Sequence, residues 1–295
     1  MTDGTDAPSE THTPVMVAEV TERLREREVV VDMTLGAGGH AAALLEAGVG
    51  LVVGVDRDPA AISAATARLE PFAPRFRAVQ ARFSEVQESD VGTPVDGVLF
   101  DLGVSSLQLD EPARGFSFRR GAELDMRMGP GRGERDQSAA DLVNTLSERE
   151  LADVIYRYGD ERRSRRIAAA IVGRRPVLST DELAGIVVSA VGRRPGGPHP
   201  ARRTFQALRI AVNRELEELA ASLPRAVGFL GPGGRVVVIA YHSLEDGIVK
   251  GVFREDERVQ VLTKKPLRPP PTEVASNPRA RSARLRAAER AAEAA

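Results

Sequence analysis

The stretch from Val29 to His40, VVVDMTLGAGGH, constrains the fold of this chain more than any other. Its three consecutive valines predict a strand that is buried on both faces, as in a parallel sheet. Asp32 ends that run, and the residues from His40 onwards, AAALLEA, have helical character. The turn between them contains three glycines, Gly36, Gly38 and Gly39.

A strand, a glycine-containing turn and a helix in succession are typical of sites that hold nucleotide-like ligands. Glycine lets the backbone approach a ligand closely, and the start of a helix offers free N–H groups. Tight strand-to-helix turns without a ligand are also common. The motif by itself therefore leaves both a ligand site and a bare turn open.

The composition excludes several classes of protein. The chain has 295 residues, enough for a full core in one large domain or two. It has no Cys, which excludes disulfides, thiolate nucleophiles and Cys-based zinc sites, and its four His offer few metal ligands, so we predict no metal site. No apolar run approaches the ~18 residues of a membrane span.

The acidic, polar residues 1–13 do not resemble a signal or transit peptide. We expect them to form a disordered tail of a cytoplasmic protein. The oligomeric state stays open, with a homodimer among the alternatives.

The first third of the chain predicts a parallel, doubly wound α/β sheet. Segments rich in β-branched residues alternate there with helices of about 10–15 residues, which is the pattern of such sheets. The predicted strands are 29–31, 50–56, 76–79 and 95–101. A helix at 18–25 is predicted before the first strand, and the helices between the strands include 59–69.

This alternation stops after residue 101 and resumes near residue 201. Residues 105–137 have no clear period, which is typical of functional or disordered segments. Predicted helices follow near 147–157, 161–173 and 180–191, the first and third with S-x-x-E capping boxes. The simplest arrangement is a sheet domain, 14–135 and 201–295, with a helical substrate-binding domain, 136–200, inserted into it.

The C-terminal part is expected to complete the sheet. Apolar residues recur at three- and four-residue steps from Phe205 to Leu223, which predicts one long helix over about 201–223. Strands are predicted at 235–240 and 258–263. Residues 283–287 alternate in polarity and predict an edge strand, with a short helix as the alternative.

Acidic residues end three of the predicted strands: Asp32, Asp56 and Asp101. Ligands in open α/β sheets bind at the carboxyl ends of the strands, so we expect these carboxylates and Tyr241–His242 on one rim. Asp56 is in place to accept hydrogen bonds from both hydroxyls of a ribose, and its alternative role is a helix cap.

Two cofactors fit this rim. Residues 36–41 match G-x-G-x-x-A, which keeps a nicotinamide cofactor open. Asp32, directly before the turn, would repel a diphosphate and favours the cationic amino end of S-adenosylmethionine. Phe83 is placed to cover an adenine ring, and a core position is its alternative.

His242 and Ser243 lack a partner acid at any spacing that suggests a triad, and no G-x-S-x-G elbow is present, which argues against a hydrolase. Ser243 is predicted to cap the helix that follows, with Asp246 at the capping-box position. A role for His242 at the site stays open.

Arginines cluster in three places although the net charge is −1, which indicates local phosphate binding. Sequence does not determine whether the three clusters share one surface. They are Arg162, Arg163, Arg165 and Arg166; Arg193, Arg194, Arg202 and Arg203; and Arg279, Arg281, Arg284, Arg286 and Arg290.

Long segments of the chain resemble the bacterial 16S ribosomal RNA (cytosine-N4)-methyltransferases, the MraW family. The resemblance covers nearly the whole chain. The segments that carry it are HTPVMVAEV (12–20), DMTLGAGGH (32–40), GVDRDPAAI (54–62), DGVLFDLGVSSLQLDEPARGFSFRRGAELDMRM (96–128), HPARRTFQALRIAVNRELEEL (199–219), GGRVVVIAYHSLEDGIVK (233–250) and NPRARSARLRAAER (277–290).

The resemblance implies a class I methyltransferase sheet with an inserted helical domain. It implies S-adenosylmethionine as the methyl donor and, as the target, a cytosine in the decoding centre of the small ribosomal subunit. Two departures are mild: the family commonly has DGT at 32–34 and SFHSLED at 240–246. The cofactor contacts that it implies are Gly38, Gly39, His40, Asp56, Phe83, Asp101 and Gln108, to which the residues themselves add Asp32 and Gly36.

Many amino-methyltransferases activate the target nitrogen with a (D/N/S)PP(Y/F) turn, whereas this chain has Asp101-Leu102-Gly103-Val104. We therefore expect Asp101 and nearby carbonyls to accept the N–H bonds of the target, with His242 near the base. The RNA contacts are expected to be Arg193, Arg194, Arg202, Arg203, Arg279 and Arg281. Three rival functions remain at this point: a nicotinamide oxidoreductase, a DNA amino-methyltransferase and a non-catalytic RNA-binding assembly factor.

Overall fold

A computed structural model describes residues 13–92, 94–103, 111–118, 121–129 and 137–292, and these form a seven-stranded sheet with helices on both faces. Runs of β-branched residues build its central strands, which are buried on both sides. The strands are β1 (Val29–Asp32), β2 (Leu51–Asp56), β3 (Phe76–Gln80), β4 (Val95–Asp101), β5 (Leu230–Ala240), β6 (Val259–Val261) and β7 (Arg284–Arg290).

The strand order is β3-β2-β1-β4-β5-β7-β6. The first five strands are parallel, and β7 pairs antiparallel with both β5 and β6. The predicted α/β class and the doubly wound sheet are confirmed. The prediction that 283–287 form an edge strand is wrong, because β7 lies between β5 and β6.

The helices α1 to α4, α10 and α11 cover the sheet, α12 accepts a hydrogen bond from the Met16 N–H through Glu273, and α5 to α9 form a separate helical unit. Their bounds are α1 (Val17–Leu24), α2 (Gly39–Glu46), α3 (Pro59–Leu69), α4 (Glu88–Val91), α5 (Ala139–Thr145), α6 (Glu148–Gly159), α7 (Ser164–Val172), α8 (Thr180–Val191), α9 (Arg202–Asn213), α10 (Glu215–Phe229), α11 (Ser243–Glu255) and α12 (Pro271–Ser276).

Each face of the sheet has its own apolar core, because successive residues of a strand point to opposite faces. Val31 and Phe100 pack with α10 on one face. Val30 and Leu99 pack with α1 and α2 on the other face. The two cores fix the carboxyl ends of β1 and β4 side by side.

The predicted long helix over 201–223 is interrupted at Arg214, which has a left-handed backbone with φ 52°. Phe205 and Leu208, before the break, are buried in the core of the helical unit, while Leu219 and Leu223, after it, are buried against the sheet. The apolar periodicity continues through the break because both helices bury an apolar face, each in a different core.

The helical unit therefore extends beyond the boundary predicted at residue 200. α9 packs against α6, and the core of the unit also takes in Leu124 and Met126, which precede the predicted insertion. By packing, the change from helical unit to sheet falls at Arg214. The predicted tail, residues 1–13, lies outside the described residues except for Thr13.

Asn213 joins the helical unit to the segment that leads into it. This amide is 2% exposed. Its Nδ2 donates to the carbonyls of Met126 and Arg209, and its Oδ1 accepts from the Met128 N–H. Among the described residues, no helix has the length and apolar character needed to cross a membrane.

Candidate active site

A cavity of about 1590 Å³ opens at the carboxyl ends of β1, β2, β4 and β5 and extends to α9. Typical ligand pockets are about 300–1,000 Å³, so this cavity has room for a cofactor and part of a second substrate. Its lining includes Thr34, Gly36, Gly39, His40, Asp56, Phe83, Asp101, Tyr241 and His242 from the sheet, and Phe205, Gln206 and Arg209 from α9.

The glycine turn after β1 closes tightly on its neighbours. Gly38 has φ 75° and caps α2, and a Cβ there would lie 3.2 Å from Ala65 of α3, so this glycine packs against a helix and does not line the cavity. A Cβ on Gly39 would lie 2.4 Å from Pro14. The segment around Pro14 therefore rests directly on the turn.

Asp56 holds the same turn from β2. Its Oδ2 accepts a 2.9 Å hydrogen bond from the Gly36 N–H, and its Oδ1 accepts one of 2.9 Å from the Asp58 N–H. Burial raises the pKa of this carboxyl group, against these hydrogen bonds. The helix cap is Asp58, which accepts from the Ala60 N–H, so Asp56 is not the cap of α3.

Asp32 lies behind the cavity and is absent from its described lining. It is 1% exposed and accepts a hydrogen bond from the Thr34 N–H. Burial raises its pKa to about 6, even though the nearby His40 lowers it. Asp32 therefore lies behind the lining residues, where it interacts electrostatically with His40.

His40, at the start of α2, lies between two carboxylates. Its Nε2 is 3.4 Å from Asp101 Oδ2, and the side chain is 6% exposed. Burial lowers the pKa of His40, but Asp101 and Asp32 outweigh burial, so the pKa is raised from its usual value. Nδ1 is buried and has no hydrogen-bond partner among the described residues.

Asp101, the last residue of β4, is fixed from three sides. Its backbone N–H donates to Thr34 Oγ1 at 2.6 Å, and Tyr241 donates its hydroxyl to Oδ1 at 2.8 Å. With His40 facing the other oxygen, the carboxylate has one preferred orientation. Its side chain is still 23% exposed, on the cavity side.

Phe83 follows β3 and lines the cavity. Its ring meets Phe100 edge to face at a centroid distance of 5.8 Å. Phe83 therefore both packs against the core and presents an aromatic surface to the cavity, which combines the two roles that the sequence left open.

The cavity wall nearest the helical unit is built on charged side chains. Arg209 donates two 2.8 Å hydrogen bonds to Glu215. Glu245 is 3% exposed and accepts from the Tyr241 and His242 N–H groups. Burial raises the pKa of Glu245, but His242 and these hydrogen bonds outweigh burial and lower it.

His242 is the N-cap of α11, so the prediction that Ser243 caps this helix is wrong. The Nδ1 of His242 accepts from the Glu245 N–H at 3.4 Å, and Nε2 lies 3.1 Å from Glu245 Oε1. The capping box is formed by His242 and Glu245, one residue earlier than predicted. His242 lines the cavity as expected.

Glu215, His242 and Glu245 each bring one metal-ligand atom within 4.8 Å of the others. Both Glu215 oxygens, however, accept hydrogen bonds from the Arg209 guanidinium. A fixed positive charge at this point disfavours a cation, so we assign no metal to the cluster.

The first two arginine clusters share one face of the helical unit. Arg163 donates to the Val191 carbonyl at 2.6 Å, next to the loop that holds Arg193 and Arg194. Arg203 donates to the Asp160 carbonyl at 2.8 Å. The start of α7, the end of α8 and the start of α9 therefore meet, and Arg202 extends this face to the cavity.

The third cluster divides into two groups. Arg279 lines the cavity and Arg281 is exposed. Arg284 and Arg286 instead face Asp246, the latter with Nε 2.7 Å from Oδ1. Arg290 donates to the Gly228 carbonyl. The arginines of β7 thus tie this strand to the helices α11 and α10, whereas Arg279 faces the cavity.

Gln108 lies outside the described residues. Sequence reasoning did not single out Thr34, Arg209 or Glu245 as site residues. Thr34 carried a detectable signal, because it sits between Asp32 and the glycines. The positions of Arg209 and Glu245 depend on how the helices pack, so the sequence carried no signal for them.

These residues fit S-adenosylmethionine. A carboxylate at the end of β2, an aromatic side chain after β3, a glycine turn that caps a helix and a buried His40 nitrogen without a partner all meet in one cavity. Together with the strand order, they define a class I methyltransferase fold. Proteins of this class use S-adenosylmethionine as the methyl donor.

The chain belongs to the MraW methylase family, whose model matches residues 9–291. It is 51% identical over 290 residues to the ribosomal RNA small subunit methyltransferase H of Sorangium cellulosum, covering 95% of this chain and 91% of the relative. The protein of the same name from a Cyanothece strain is 48% identical over 286 residues, covering 96% of each chain.

Among solved structures, an rRNA methylase from Streptococcus thermophilus gives a TM-score of 0.46 at 12% identity, covering 94% of each chain. The fold assignment rests on the strand order rather than on this likeness. Membership of a methylase family removes the nicotinamide alternative.

Proposed function

We propose that this protein transfers a methyl group from S-adenosylmethionine to the exocyclic N4 amino group of one cytosine in the decoding centre of 16S ribosomal RNA. The observation that carries the proposal is the shared cavity, in which the fixed carboxylate of Asp101 faces space that the sheet and α9 enclose together. The name of the relatives, ribosomal RNA small subunit methyltransferase H, supports the choice of substrate.

The exocyclic nitrogen of cytosine is a weak nucleophile because its lone pair is delocalised into the ring. Asp101 accepts a hydrogen bond from this amino group, which localises the lone pair and orients it. The cofactor supplies an electrophilic methyl group on a sulfonium, whose positive charge disappears on transfer. After the methyl has arrived, the cationic nitrogen releases its extra proton to solvent water, so Asp101 needs only to hold the amino group and not to act as a strong base.

His40 contacts the Asp101 carboxylate on one side and interacts with Asp32 on the other. The imidazole of His40 lies between the two carboxylates, and its raised pKa favours the charged form beside them. We assign direct cofactor contacts to Gly36, Gly39, His40, Asp56, Phe83 and Asp101, which line the cavity, with Gly38 shaping the turn and Asp32 acting through His40.

The helical unit binds the RNA in this proposal. Arg193, Arg194, Arg202 and Arg203 lie on its exposed arginine face, and Arg279 and Arg281 approach from the other side of the cavity. Arg is suited to this role because its guanidinium forks onto phosphate and stacks on bases.

An aromatic stack lies beside the same face. His199 stacks on Phe118 at a centroid distance of 4.4 Å, and Phe118 contacts Phe205 edge to face. Partial burial, together with Arg193, lowers the pKa of His199, so its ring is neutral at physiological pH. Phe118 and Phe205 line the cavity, and a neutral ring stack is a suitable surface for an unpaired base.

The decisive experiment is mass spectrometry of 16S ribosomal RNA from cells with and without the gene. We expect loss of one N4 methyl group from a decoding-centre cytosine, restored by the wild-type gene. An unchanged cytosine would contradict the proposal. Assays of the purified protein on small subunits and on DNA distinguish an RNA methyltransferase from a DNA amino-methyltransferase. A small ribosomal subunit as substrate also agrees with the predicted cytoplasmic location.

A catalytically dead Asp101→Ala gene tests the remaining rival, a non-catalytic assembly factor. If the Asp101→Ala gene restores subunit assembly while the cytosine stays unmethylated, binding rather than methylation is the main function.

A further inference from the structure

Tyr241 connects the ends of the two central strands β4 and β5. Asp101, at the end of β4, pairs in register with Ile239 of β5, and the Leu102 N–H continues this ladder to the Ile239 carbonyl. Two residues after Ile239, just past the end of β5, the Tyr241 side chain reaches back, and its hydroxyl donates to Asp101 Oδ1 at 2.8 Å.

The ring of Tyr241 has little freedom to move. A Cβ on Gly103 would lie 3.3 Å from Tyr241 Cδ2, so the ring rests directly against the turn that follows β4. Gly103 also has φ 110°, which favours glycine. At the other end, the Tyr241 N–H donates to Glu245 at 2.8 Å.

We propose that in this chain, which has Tyr241 where the family commonly has Phe, Tyr241 is a positioning residue for the methyl transfer: its hydroxyl holds the Asp101 carboxylate in the orientation that receives the target amino group. This inference rests on the proposed role of Asp101. An ionised carboxylate accepts at about four lone-pair positions. Tyr241 occupies one on Oδ1 and His40 faces Oδ2, which leaves the remaining positions directed into the cavity.

The chemistry of the pair assigns the donor without ambiguity. Burial raises the pKa of Tyr241 well above its usual value, and the adjacent Asp101 adds to this effect. The phenol therefore keeps its proton at neutral pH and donates a hydrogen bond to the carboxylate. Tyr241 acts on the reaction through Asp101 and not as a base.

Removal of this hydroxyl frees a rotation that is otherwise blocked. The terminal torsion of an Asp side chain has broad, weakly separated minima, so a carboxylate without the Tyr241 contact samples more orientations. The share of complexes with a correctly oriented acceptor then falls, which lowers turnover. The ring itself stays in place, so the cavity keeps its shape.

The test is the Tyr241→Phe variant of the full chain, assayed on small ribosomal subunits. We expect kcat to fall about tenfold, as for loss of a hydrogen bond to a charged group. With saturating S-adenosylmethionine, the KM for the subunit should stay within about twofold. Thermal unfolding identifies any general loss of structure.

The matched control is Tyr158→Phe. Tyr158 also donates its hydroxyl to a carboxylate, that of Glu217 at 3.3 Å, but on the surface of α6. We expect its kcat to remain within about twofold of wild type.

A double-mutant cycle distinguishes positioning from packing. In an Asp101→Ala background, Tyr241→Phe should have no further effect on residual turnover, because the group that it positions is gone. A further tenfold loss there, or wild-type kcat for Tyr241→Phe alone, would overturn the inference. If Asp101→Ala itself retains wild-type turnover, the proposed role of Asp101 fails instead. Tyr241→Leu, which also lacks the hydroxyl, repeats the cycle if the Phe variant unfolds.

Discussion

Arg209 and Glu215 form a two-point ion pair across the residue that divides the helical unit from the sheet. The guanidinium donates through Nε and Nη2 to the two Glu215 oxygens, each at 2.8 Å. Between them, Arg214 has the left-handed backbone that turns α9 into α10. The pair therefore spans the bend and fixes the direction in which the helical unit projects over the cavity.

Arg209→Met should destabilise the protein by about 3 kcal/mol, because it leaves Glu215 in a partly buried site without its counter-charge. The side chains of this pair are 16% and 12% exposed. The matched control is Arg254→Met, whose partner Glu255 and own side chain are each 69% exposed; loss of that pair should cost no more than about 1 kcal/mol. Chemical unfolding measures both.

Adding Glu215→Gln to Arg209→Met should restore part of the lost stability, since no unpaired charge then remains. Equal losses for Arg209→Met and Arg254→Met would contradict the assignment of the pair as the support of the bend.

Asp101→Ala should lower kcat far more than Asp101→Asn. Asn retains an oxygen acceptor at the same place, whereas Ala removes it, so we expect a loss of about 100-fold or more for Ala and about tenfold for Asn. Single-turnover assays with saturating cofactor measure this, and calorimetry with S-adenosylmethionine checks that the cofactor still binds. Equal losses would mean that the charge of Asp101, and not its position as an acceptor, supports the reaction.

Arg202→Ala and Arg203→Ala should each weaken RNA binding and reduce its salt dependence. Each lost phosphate contact lowers the slope of log K against log salt by roughly 0.7 for single-stranded RNA. Both side chains are exposed at the start of α9, whereas Arg254 on α11 is an exposed control outside this face. Fluorescence anisotropy over a salt series gives the slope. Unchanged affinity and slope would remove this face from the RNA surface.

The parallel part of the sheet could be predicted because its signals are local. Runs such as Val29–Asp32 and Val95–Asp101 are apolar and β-branched, and their acidic ends mark the rim. The antiparallel position of β7 between β5 and β6 could not be predicted, because strand pairing between residues far apart in sequence leaves little signal in the local sequence.

Other misses have specific physical causes. Arg214 carries no signal for a left-handed backbone, because that conformation is rare for residues with a Cβ. Ser243 is a preferred N-cap type, yet the extended backbone of His242 takes that position. Arg209 belongs to the site through contacts made only after the sheet and the helical unit have packed. Tyr241 was expected on the rim, but its hydrogen bond to Asp101 depends on the pairing of β4 with β5.

Asp32→Asn should stabilise the protein at high pH and have little effect at low pH. The pKa of Asp32 is raised to about 6 from 3.8. Between these values the folded chain keeps a proton that the unfolded chain releases, so this group lowers stability as the pH rises through the window, and the loss is complete above about pH 6. The shift corresponds to about 3 kcal/mol.

Asn at this position keeps an oxygen that can accept from the Thr34 N–H but carries no charge to desolvate. Urea unfolding at pH 4.5 and pH 8 gives the difference in unfolding free energy between the variant and the wild type. This difference should grow with pH toward about 3 kcal/mol. Because Asp32 also raises the pKa of His40, this difference in unfolding free energy reports the charge of Asp32 together with its interaction with His40. Asp153→Asn, on the exposed side of α6, is the control. The change in unfolding free energy that it causes should be the same at pH 4.5 and at pH 8. A variant that is less stable than the wild type at pH 8 would show that the attraction between Asp32 and His40 exceeds the cost of burying the charge.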